Sequence, residues 1–312
     1  MVDEQGNIFA NFVHSQVDLH REFGGVVPEL AARDHLERLP KLVSMAMQEV
    51  GATGPGDFDL IAVTRGPGLA GCLLVGIGVA EGLSEAWSVP VTGVNHLWGH
   101  IYAAFLTRTD LEPPLLGLVV SGAHSDLVRM PAHGQFEVIG RTRDDAAGEA
   151  FDKAARMLGL GYPGGPALDR LARTGDARRQ PLPQPSLPGL EYSFSGLKTA
   201  LLYRLRDLGE SVTAQDRADL AASFERSVVE SLLEKLDVAL SETPTAEVVV
   251  CGGVAANTLL RMRAKEVVAG RARLTMPPAD LCTDNAAMIA MAGLLGGGPR
   301  PAYADPSLGW EP

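Results

Sequence analysis

The chain has 312 residues, of which 46% are hydrophobic and 21% are charged. This balance is typical of a globular protein with about two domains, and it excludes a small disulfide scaffold and a disordered chain. Its 38 acidic and 27 basic side chains give a net charge of −11, which argues against a protein that holds nucleic acid alone through its overall field. The three cysteines lie far apart without a CxxC pair, so they indicate neither a disulfide framework nor a thiolate zinc site.

The glycine content bears on whether the protein binds a ligand, and the first residues bear on where in the cell it is located. The 35 glycines exceed the usual share of about 7%, which favours tight turns and loops that approach a ligand closely. We find no apolar run of the roughly 18 residues that a membrane span needs. Residues 1–7 are acidic and polar, whereas a signal peptide would be basic and then apolar. We therefore expect a cytoplasmic protein without a membrane segment.

The apolar pattern predicts strands that alternate with helices along the chain, beginning with a turn at residues 3–7. Strands are predicted at residues 8–17, 58–64, 89–94, 115–120, 125–130, 136–142 and 247–253. Helices are predicted at residues 28–50 with a kink at Pro40, 69–87, 96–106, 148–157, 165–172, twice within 195–240, at 255–267 and at 283–296. The strand, helix and strand between residues 58 and 94 predict a parallel pair, and the whole alternation indicates an α/β protein.

Two histidines in the segment VNHLWGH have the spacing of metal ligands. His96 and His100 stand four residues apart, so on a helix both imidazoles lie on one face. Leu97 follows the first histidine where a zincin protease needs its glutamate base, which excludes that mechanism. Asp284, at a predicted helix start, is explained by helix capping or by completion of a two-histidine, one-carboxylate metal site. A buried, hydrogen-bonded histidine pair is the alternative to a metal site.

Three glycine-containing loops indicate nucleotide binding. SGAH at 121–124 and CGGVAAN at 251–257 each follow a predicted strand, and GYPGG lies at 161–165. Backbone amides in such loops can approach a phosphate closely, although a plain tight turn explains each loop taken singly. Asp152 and Asp169 lie in small-residue helices, where a carboxylate can accept ribose hydroxyls or serve as ordinary surface charge.

Two short segments carry an excess of arginine. Residues 261–273 contain four arginines and Lys265 against one glutamate, and residues 170–179 contain four arginines against Asp176. Solvent-exposed helix and loop faces account for the charge of either segment taken alone. Contacts from arginines such as Arg261 and Arg263 to the phosphates of a nucleic acid are the alternative, and they predict weak, salt-dependent binding.

Seven segments stand in one order along the chain: GGVVPELAARDH, AVTRGPGLAGCLLVG, GVNHLWGH, VVSGAHSDL, DDAAGEAFDKAARMLGLGYPGG, SFSGLK and VVVCGGVAANTLLR. Over residues 3–296 the chain resembles the TsaD/Gcp family of bacterial tRNA adenosine threonylcarbamoyltransferases, once described as O-sialoglycoprotein endopeptidases. The resemblance implies an actin-like ATPase superfamily fold with two α/β domains flanking a cleft. The first domain is then residues 1–106 plus 283–312, and the second is residues 107–282.

The resemblance also implies site residues, a reaction and partners. His96, His100 and Asp284 become the ligands of one divalent metal, Fe²⁺ or else Zn²⁺. The substrate-binding positions become Val119, Val120, Ser121, Gly122, Ala123, Asp152, Gly165, Asp169 and Asn257. The implied reaction moves the threonylcarbamoyl group from threonylcarbamoyl-AMP to the exocyclic amine of the adenosine 3′ of the anticodon, in tRNAs reading codons that begin with A. The implied partners are tRNA, a paralogous TsaB-like pseudo-subunit and a small TsaE-like P-loop ATPase. No residue is identified as a general base.

The chain departs from the family pattern in several places. Ala123 replaces a glycine in the loop after a strand, Cys72 stands where serine is commoner, and Val119 stands where some relatives have a tyrosine ligand. The family opens with a strand and an ETSCDET-like loop, whereas here only two residues precede the turn. We therefore expect the gene product to begin about 10 to 20 residues upstream of Met1, and the first domain to lack its first strand.

Two other functions stay open at this point. The first is a truncated, catalytically impaired family member that acts as a scaffold in the same complex; the family's pseudo-subunit lacks the metal histidines that are present here. The second is a sugar or acetate kinase of the same superfamily, which would not need His96 and His100. The metal content of the purified chain separates the transferase from both.

Overall fold

A computed structural model of the protein describes residues 1–297 and 300–311. The chain forms two compact units: the first contains residues 1–113, 130–137 and 283–312, and the second contains residues 114–129 and 138–282. The sequence boundary at residue 106 therefore lies a few residues before this division. Residues 130–137, which the sequence assigned to the second domain, group with the first unit.

The helices and strands follow in chain order. The helices are α1 (Val17–Arg21), α2 (Pro28–Glu49), α3 (Ala70–Trp87), α4 (His96–Tyr102), α5 (Ala147–Met157), α6 (Gly164–Ala172), α7 (Ser195–Leu208), α8 (Ala214–Glu242), α9 (Thr258–Val268), α10 (Ala279–Cys282) and α11 (Ala286–Leu295). The strands are β1 (Ile61–Gly66), β2 (Val91–Asn95), β3 (Leu115–Val120), β4 (Ser125–Ala132), β5 (Gln135–Arg141), β6 (Glu247–Cys251) and β7 (Arg273–Thr275).

The first unit is built on the predicted β1–α3–β2 crossover. Strands β1 and β2 pair in parallel with Ile61 opposite Val91, and α3 connects them and packs against β1. Helix α4 follows β2 directly, and α11 packs against α4, β1 and β2. The end of the chain returns to β2, because the amide of Gly93 donates to the carbonyl of Arg300 at 3.0 Å.

The second unit contains a five-stranded sheet in the order β5, β4, β3, β6, β7. Strands β3 and β6 are parallel neighbours with Val119 opposite Cys251, so the loops that follow them emerge at the same edge of the sheet. Both strands are buried along their full length, as expected for a parallel pair covered on two faces. Helix α8 supplies much of the apolar core through residues such as Phe224 and Leu232.

The predicted strand at residues 8–17 is wrong. The structure has an isolated bridge between Val2 and Ile8, and then helix α1 from Val17. The predicted turn does form, because the carboxylate of Asp3 accepts hydrogen bonds from the amides of Gln5 and Asn7 at 3.0 and 2.9 Å. The segment after it does not alternate between apolar and polar residues, and Phe9 is exposed. Apart from the bridge at Ile8, no described strand pairs with this segment, so a strand there would leave its backbone amides and carbonyls without ladder partners.

One helix of the described residues is comparable with a membrane span in length and composition. Helix α3 is long and apolar enough to cross a membrane by length and composition, and 17% of it is buried. Its many small residues, with only Glu81 and Glu85 charged, explain why it passes this test. Core helices pass the same test, and α3 packs against α2 and β1.

Candidate metal centre and nucleotide site

Helix α4 presents the two histidines because its first turn is fixed at the end of β2. Asn95, the last residue of β2, caps α4 by accepting a hydrogen bond from the amide of Leu97 at 3.0 Å. The same side chain donates to the carbonyl of Gly309 at 2.6 Å, and the Trp98 indole donates to the carbonyl of Trp310 at 3.1 Å. The end of the chain therefore holds the start of α4 in place.

Asp284 meets both histidines. Its Oδ1 lies 3.3 Å from Nε2 of His96 and 3.6 Å from Nε2 of His100, and one ligand atom from each residue lies within 4.8 Å of the others. Metal bonds of about 2.0 to 2.2 Å to one ion need donors at such separations. Two imidazoles and one carboxylate leave open positions on an ion, as in non-haem iron sites. The donor set and geometry therefore fit a divalent metal.

The surroundings of the site favour a negatively charged Asp284 carboxylate and a protonated His96 imidazole. Desolvation raises the pKa of Asp284, but the hydrogen bond from His96 and the charges of both histidines outweigh it and lower the pKa to about 2. Desolvation lowers the pKa of His96, but its hydrogen bond to Asp284 and the carboxylate charge raise it overall. His100 is 2% exposed, so one ligand is buried while Asp284 is open to solvent.

In the second unit, the loop after β3 is closed by its own serine. The amide of Ser121 donates to the carbonyl of His124 at 2.8 Å, and the Ser121 hydroxyl accepts from the amide of His124 at 3.2 Å. Gly148, at the start of α5, donates its amide to the Ser121 carbonyl at 3.1 Å. Val119 and Val120 have fully buried side chains, so only their backbone can meet a ligand. Gly122 and Ala123 lie at the exposed tip of this loop.

The loop after β6 approaches the same edge of the sheet. Gly252 has a φ of 90°, and a Cβ there would lie 2.4 Å from the carbonyl oxygen of Val120. Only glycine therefore allows the two strand ends to come this close. Asn257 ends the loop and caps α9 by accepting a hydrogen bond from the amide of Leu260 at 2.9 Å. The predicted positions after β3 and after β6 thus belong to neighbouring loops.

Asp152 organises the start of α6. Its Oδ1 accepts hydrogen bonds from the amides of Gly164 and Gly165 at 3.0 and 3.2 Å. Burial raises the pKa of Asp152 overall, although both hydrogen bonds act in the opposite direction. The Gly165 amide is therefore already engaged by the protein, and its approach to a nucleotide would depend on this contact.

Asp169 and Asn257 are brought together beside a cavity of about 680 Å³. Asn257 Nδ2 lies 3.3 Å from Asp169 Oδ1, which also accepts from the amide of Thr258 at 3.1 Å. Arg173 forms an ion pair with Asp169 and donates to the Thr258 hydroxyl at 2.7 Å. Among the predicted substrate-binding residues, Asp169 lines this cavity. The volume falls within the usual range for a small-molecule site.

The sequence analysis missed Glu225, which lines the same cavity and is 5% exposed. Asn257 Nδ2 donates to Glu225 Oε1 at 2.6 Å. The available signal was a carboxylate in the middle of the apolar segment LAASFERSVV, where an acidic residue needs a buried partner.

The arginines of residues 261–273 are largely used within the protein. Arg261 donates to the carbonyls of Ala255 and Pro277 at 3.0 and 2.9 Å, so it is a structural residue and not a free phosphate contact. Arg263 pairs with Glu230 at 3.0 Å. In contrast, Arg226 is exposed on α8, and no hydrogen bond or ion pair of its side chain with another residue is found in the described ranges.

Comparison with solved structures defines the class of fold. The crystal structure of HypF from T. kodakarensis matches 83% of this chain with a TM-score of 0.63 at 15% identity, and this chain covers 43% of that protein. Full-length HypF in a phosphate- and nucleotide-bound form matches 76% of this chain with a TM-score of 0.57, over 38% of its own length. At this identity the likeness concerns the fold alone. The chain is an α/β protein, as predicted, and it shares its fold with these structures.

Sequence comparison then identifies the family. The family model described as tRNA N6-adenosine threonylcarbamoyltransferase matches residues 7–291. The protein of that name from Symbiobacterium thermophilum is 51% identical over 288 residues, which cover 92% of this chain and 84% of the relative. Its counterpart from Thermosipho africanus is 47% identical over 92% of this chain and 87% of its own length. The chain belongs to the tRNA N6-adenosine threonylcarbamoyltransferase family, which confirms the resemblance.

Proposed function

We propose that this protein transfers the threonylcarbamoyl group from threonylcarbamoyl-AMP to the exocyclic amine of the adenosine 3′ of the anticodon, in tRNAs reading codons that begin with A. The observation that carries the proposal is the match of residues 7–291 to a family named for this transfer. The relatives named for it are about half identical to this chain over nine tenths of its length.

We propose that the second unit holds the donor. We assign the donor phosphate to the loop 121–124, where the exposed residues Gly122 and Ala123 follow a buried strand. The ribose hydroxyls are assigned to Asp169 and Asn257, and the adenine to the cavity beside them. Asp152 would act indirectly, because it fixes the start of α6 through the Gly164 and Gly165 amides.

The reaction joins the adenosine amine nitrogen to the carbamoyl carbon and breaks the bond between that carbon and the phosphate oxygen. AMP leaves with the bonding electrons, and the amine loses one proton. Because the donor is a mixed anhydride, catalysis consists mainly of aligning two substrates and stabilising negative charge. His96, His100 and Asp284 would hold one divalent metal, which we propose to be Fe²⁺ with Zn²⁺ as the alternative, and which supplies Lewis-acid stabilisation of an oxygen.

The metal assignment is tested by elemental analysis of the purified chain. We expect about one divalent ion per wild-type chain and loss of most of it in His96→Ala, His100→Ala or Asp284→Ala, because two donors compete poorly with water. His14→Ala is the control, since that histidine pairs with Asp34 elsewhere in the first unit. Equal metal content in wild type and His96→Ala would show that these residues do not form the site.

Helices α2 and α3 offer a surface for a protein partner. They pack against each other, and on their outer faces Leu36 and Leu74 are each 62% exposed. Exposed apolar side chains on one helix pair are typical of an interaction surface. We propose that the paralogous TsaB-like subunit binds here and that the complex also recruits the small TsaE-like P-loop ATPase. We place the complex in the cytoplasm, where its tRNA substrate is available.

Co-purification with the paralogous subunit tests this surface. We expect Leu74→Asp to reduce recovery of the partner by at least tenfold, because a carboxylate would be desolvated at the interface. Tyr203→Asp is the matched control, since Tyr203 is 57% exposed on α7 in the second unit. Unchanged recovery with Leu74→Asp would place the partner elsewhere.

A further inference from the structure

The carboxyl of Glu225 lies among the groups assigned above to the ribose, but no role has been given to it. Helix α8 is buried around this position, with Phe224 and Val228 in the core. A buried carboxylate is costly unless it is paired or carries a proton. Glu225 therefore either is paired with a neighbouring group or carries a proton.

The hydrogen bonds fix the orientation of Asn257. Its Oδ1 accepts the amide of Leu260 at 2.9 Å, so its Nδ2 must face the two carboxyl groups. Nδ2 donates to Glu225 Oε1 at 2.6 Å, and its contact with Asp169 Oδ1 is longer, at 3.3 Å. Glu225 is thus the closer of the two acceptors that hold this amide.

Asp169 and Glu225 are neighbours, because Asn257 Nδ2 contacts both carboxyl groups, at 3.3 and 2.6 Å. Arg173 is bound to Asp169 and to the hydroxyl of Thr258, and its positive charge acts to lower the pKa of Glu225. Burial raises the pKa of Glu225 to about 7; the charge of Asp169 and a hydrogen bond to it add to this effect, while the Asn257 hydrogen bond opposes it.

Other charged groups face the same cavity. They come from α6, the loop after it, α8 and α9, and comprise Arg173, Asp176, Arg178, Arg226, Glu230 and Arg263. The arginines keep their charge at all relevant pH values. Arg178 lowers the pKa of Asp176 by hydrogen bonding, and Glu230 pairs with Arg263. Protonation of Glu225 is therefore the change that we connect with ribose binding.

We propose that Glu225, in its carboxylic-acid form, is a positioning residue that holds Asp169 and Asn257 in the geometry that binds the ribose of the nucleotide donor. The inference rests on the proposed function, because it requires the nucleotide in this cavity. With its proton, Glu225 can donate to one carboxylate and accept from Asn257 at once. After loss of the proton, two adjacent carboxylates repel each other and the ribose contacts move apart.

AMP binding to the full chain, measured by calorimetry between pH 6 and 8.5, tests the proposal. We expect the ratio of the wild-type Kd to the Glu225→Gln Kd to rise about tenfold between pH 6 and pH 8.5, because the glutamine amide cannot ionise. Because the AMP phosphate has a pKa near 6, as for other phosphate monoesters, each comparison is made between variants at one pH. Glu234→Gln is the matched control on the same helix, and it should follow the wild type.

A second readout separates positioning from a general loss of fold. The preference for AMP over 2′,3′-dideoxy-AMP should fall at least tenfold in Glu225→Ala and be retained in Glu225→Gln at pH 6. If wild type binds AMP but Glu225→Gln keeps the wild-type pH profile, or Glu225→Ala keeps the ribose preference, the role of Glu225 is refuted. If wild type binds no AMP at any pH, the proposed nucleotide site itself is wrong and the inference fails with it.

Discussion

Replacing Gly148 with alanine should disturb the loop after β3 without touching any substrate directly. Gly148 is the second residue of α5, and a Cβ there would lie 2.5 Å from the carbonyl oxygen of Ser121 and 2.9 Å from the amide nitrogen of Gly122. Ordinary contact begins near 3.4 Å. The loop and the helix must therefore separate by about 1 Å, because both contacts are with backbone atoms that cannot rotate away.

This displacement has a cost that can be bounded. Overpacking of a close contact destabilises a protein by about 1 to 3 kcal/mol, and the better helix propensity of alanine offsets up to about 1 kcal/mol. We expect Gly148→Ala to lower the free energy of unfolding by about 1 to 2 kcal/mol. A shift of about 1 Å in a positioning loop can reduce activity by about 100-fold, so we also expect AMP affinity to fall at least tenfold.

Gly196→Ala is the matched control for this variant. Gly196 is likewise the second residue of its helix, α7, but a Cβ there meets no atom within 4 Å. Thermal unfolding and AMP calorimetry should therefore leave Gly196→Ala at or above wild-type stability with wild-type affinity. If Gly148→Ala behaves like Gly196→Ala in both measurements, the loop 121–124 does not depend on this contact.

Three further predictions concern other parts of the structure. Asn95→Ala removes the cap of α4 and a hydrogen bond to the returning chain end, so chelator titration should show metal affinity reduced about 10- to 100-fold. Arg261→Ala should lower stability by about 1 to 3 kcal/mol in urea unfolding, because buried carbonyls lose their donor, whereas Arg226→Ala should leave stability unchanged. Because the pKa of Glu225 is raised from 4.5 to about 7, its stabilising contribution is complete below pH 4.5 and is lost as pH rises towards 7. The loss amounts to about 3 kcal/mol and should be absent from unfolding curves of Glu225→Gln; identical pH dependence in both proteins would contradict this.

Local sequence patterns were sufficient for the elements that carry the site. The buried runs before residues 121 and 252 predicted β3 and β6, and the four-residue spacing of His96 and His100 placed both on one helix face. These features depend on contacts within one element or between an element and the next loop. The same is true of the β1–α3–β2 crossover, whose strands pair in parallel as predicted.

Features that depend on distant parts of the chain were harder to predict. Asp284 reaches the histidines because α11 packs on α4, and spacing alone could not distinguish this from a helix cap. The arginine-rich segment 261–273 suggested an open basic surface, but Arg261 and Arg263 find acceptors in other segments that only the fold brings near. The strand expected at residues 8–17 failed for the same reason, since strand formation needs a partner that the local pattern does not specify.

The central claim is tested most directly by nucleoside mass spectrometry of tRNA after incubation with this chain, the two proposed protein partners, ATP and threonylcarbamoyl-AMP. The account predicts threonylcarbamoyladenosine at the position 3′ of the anticodon, only in tRNAs reading codons that begin with A, and a loss of at least 100-fold in rate with His96→Ala. Absence of product while a curated relative forms it under the same conditions, or an equal rate with His96→Ala, would contradict the account.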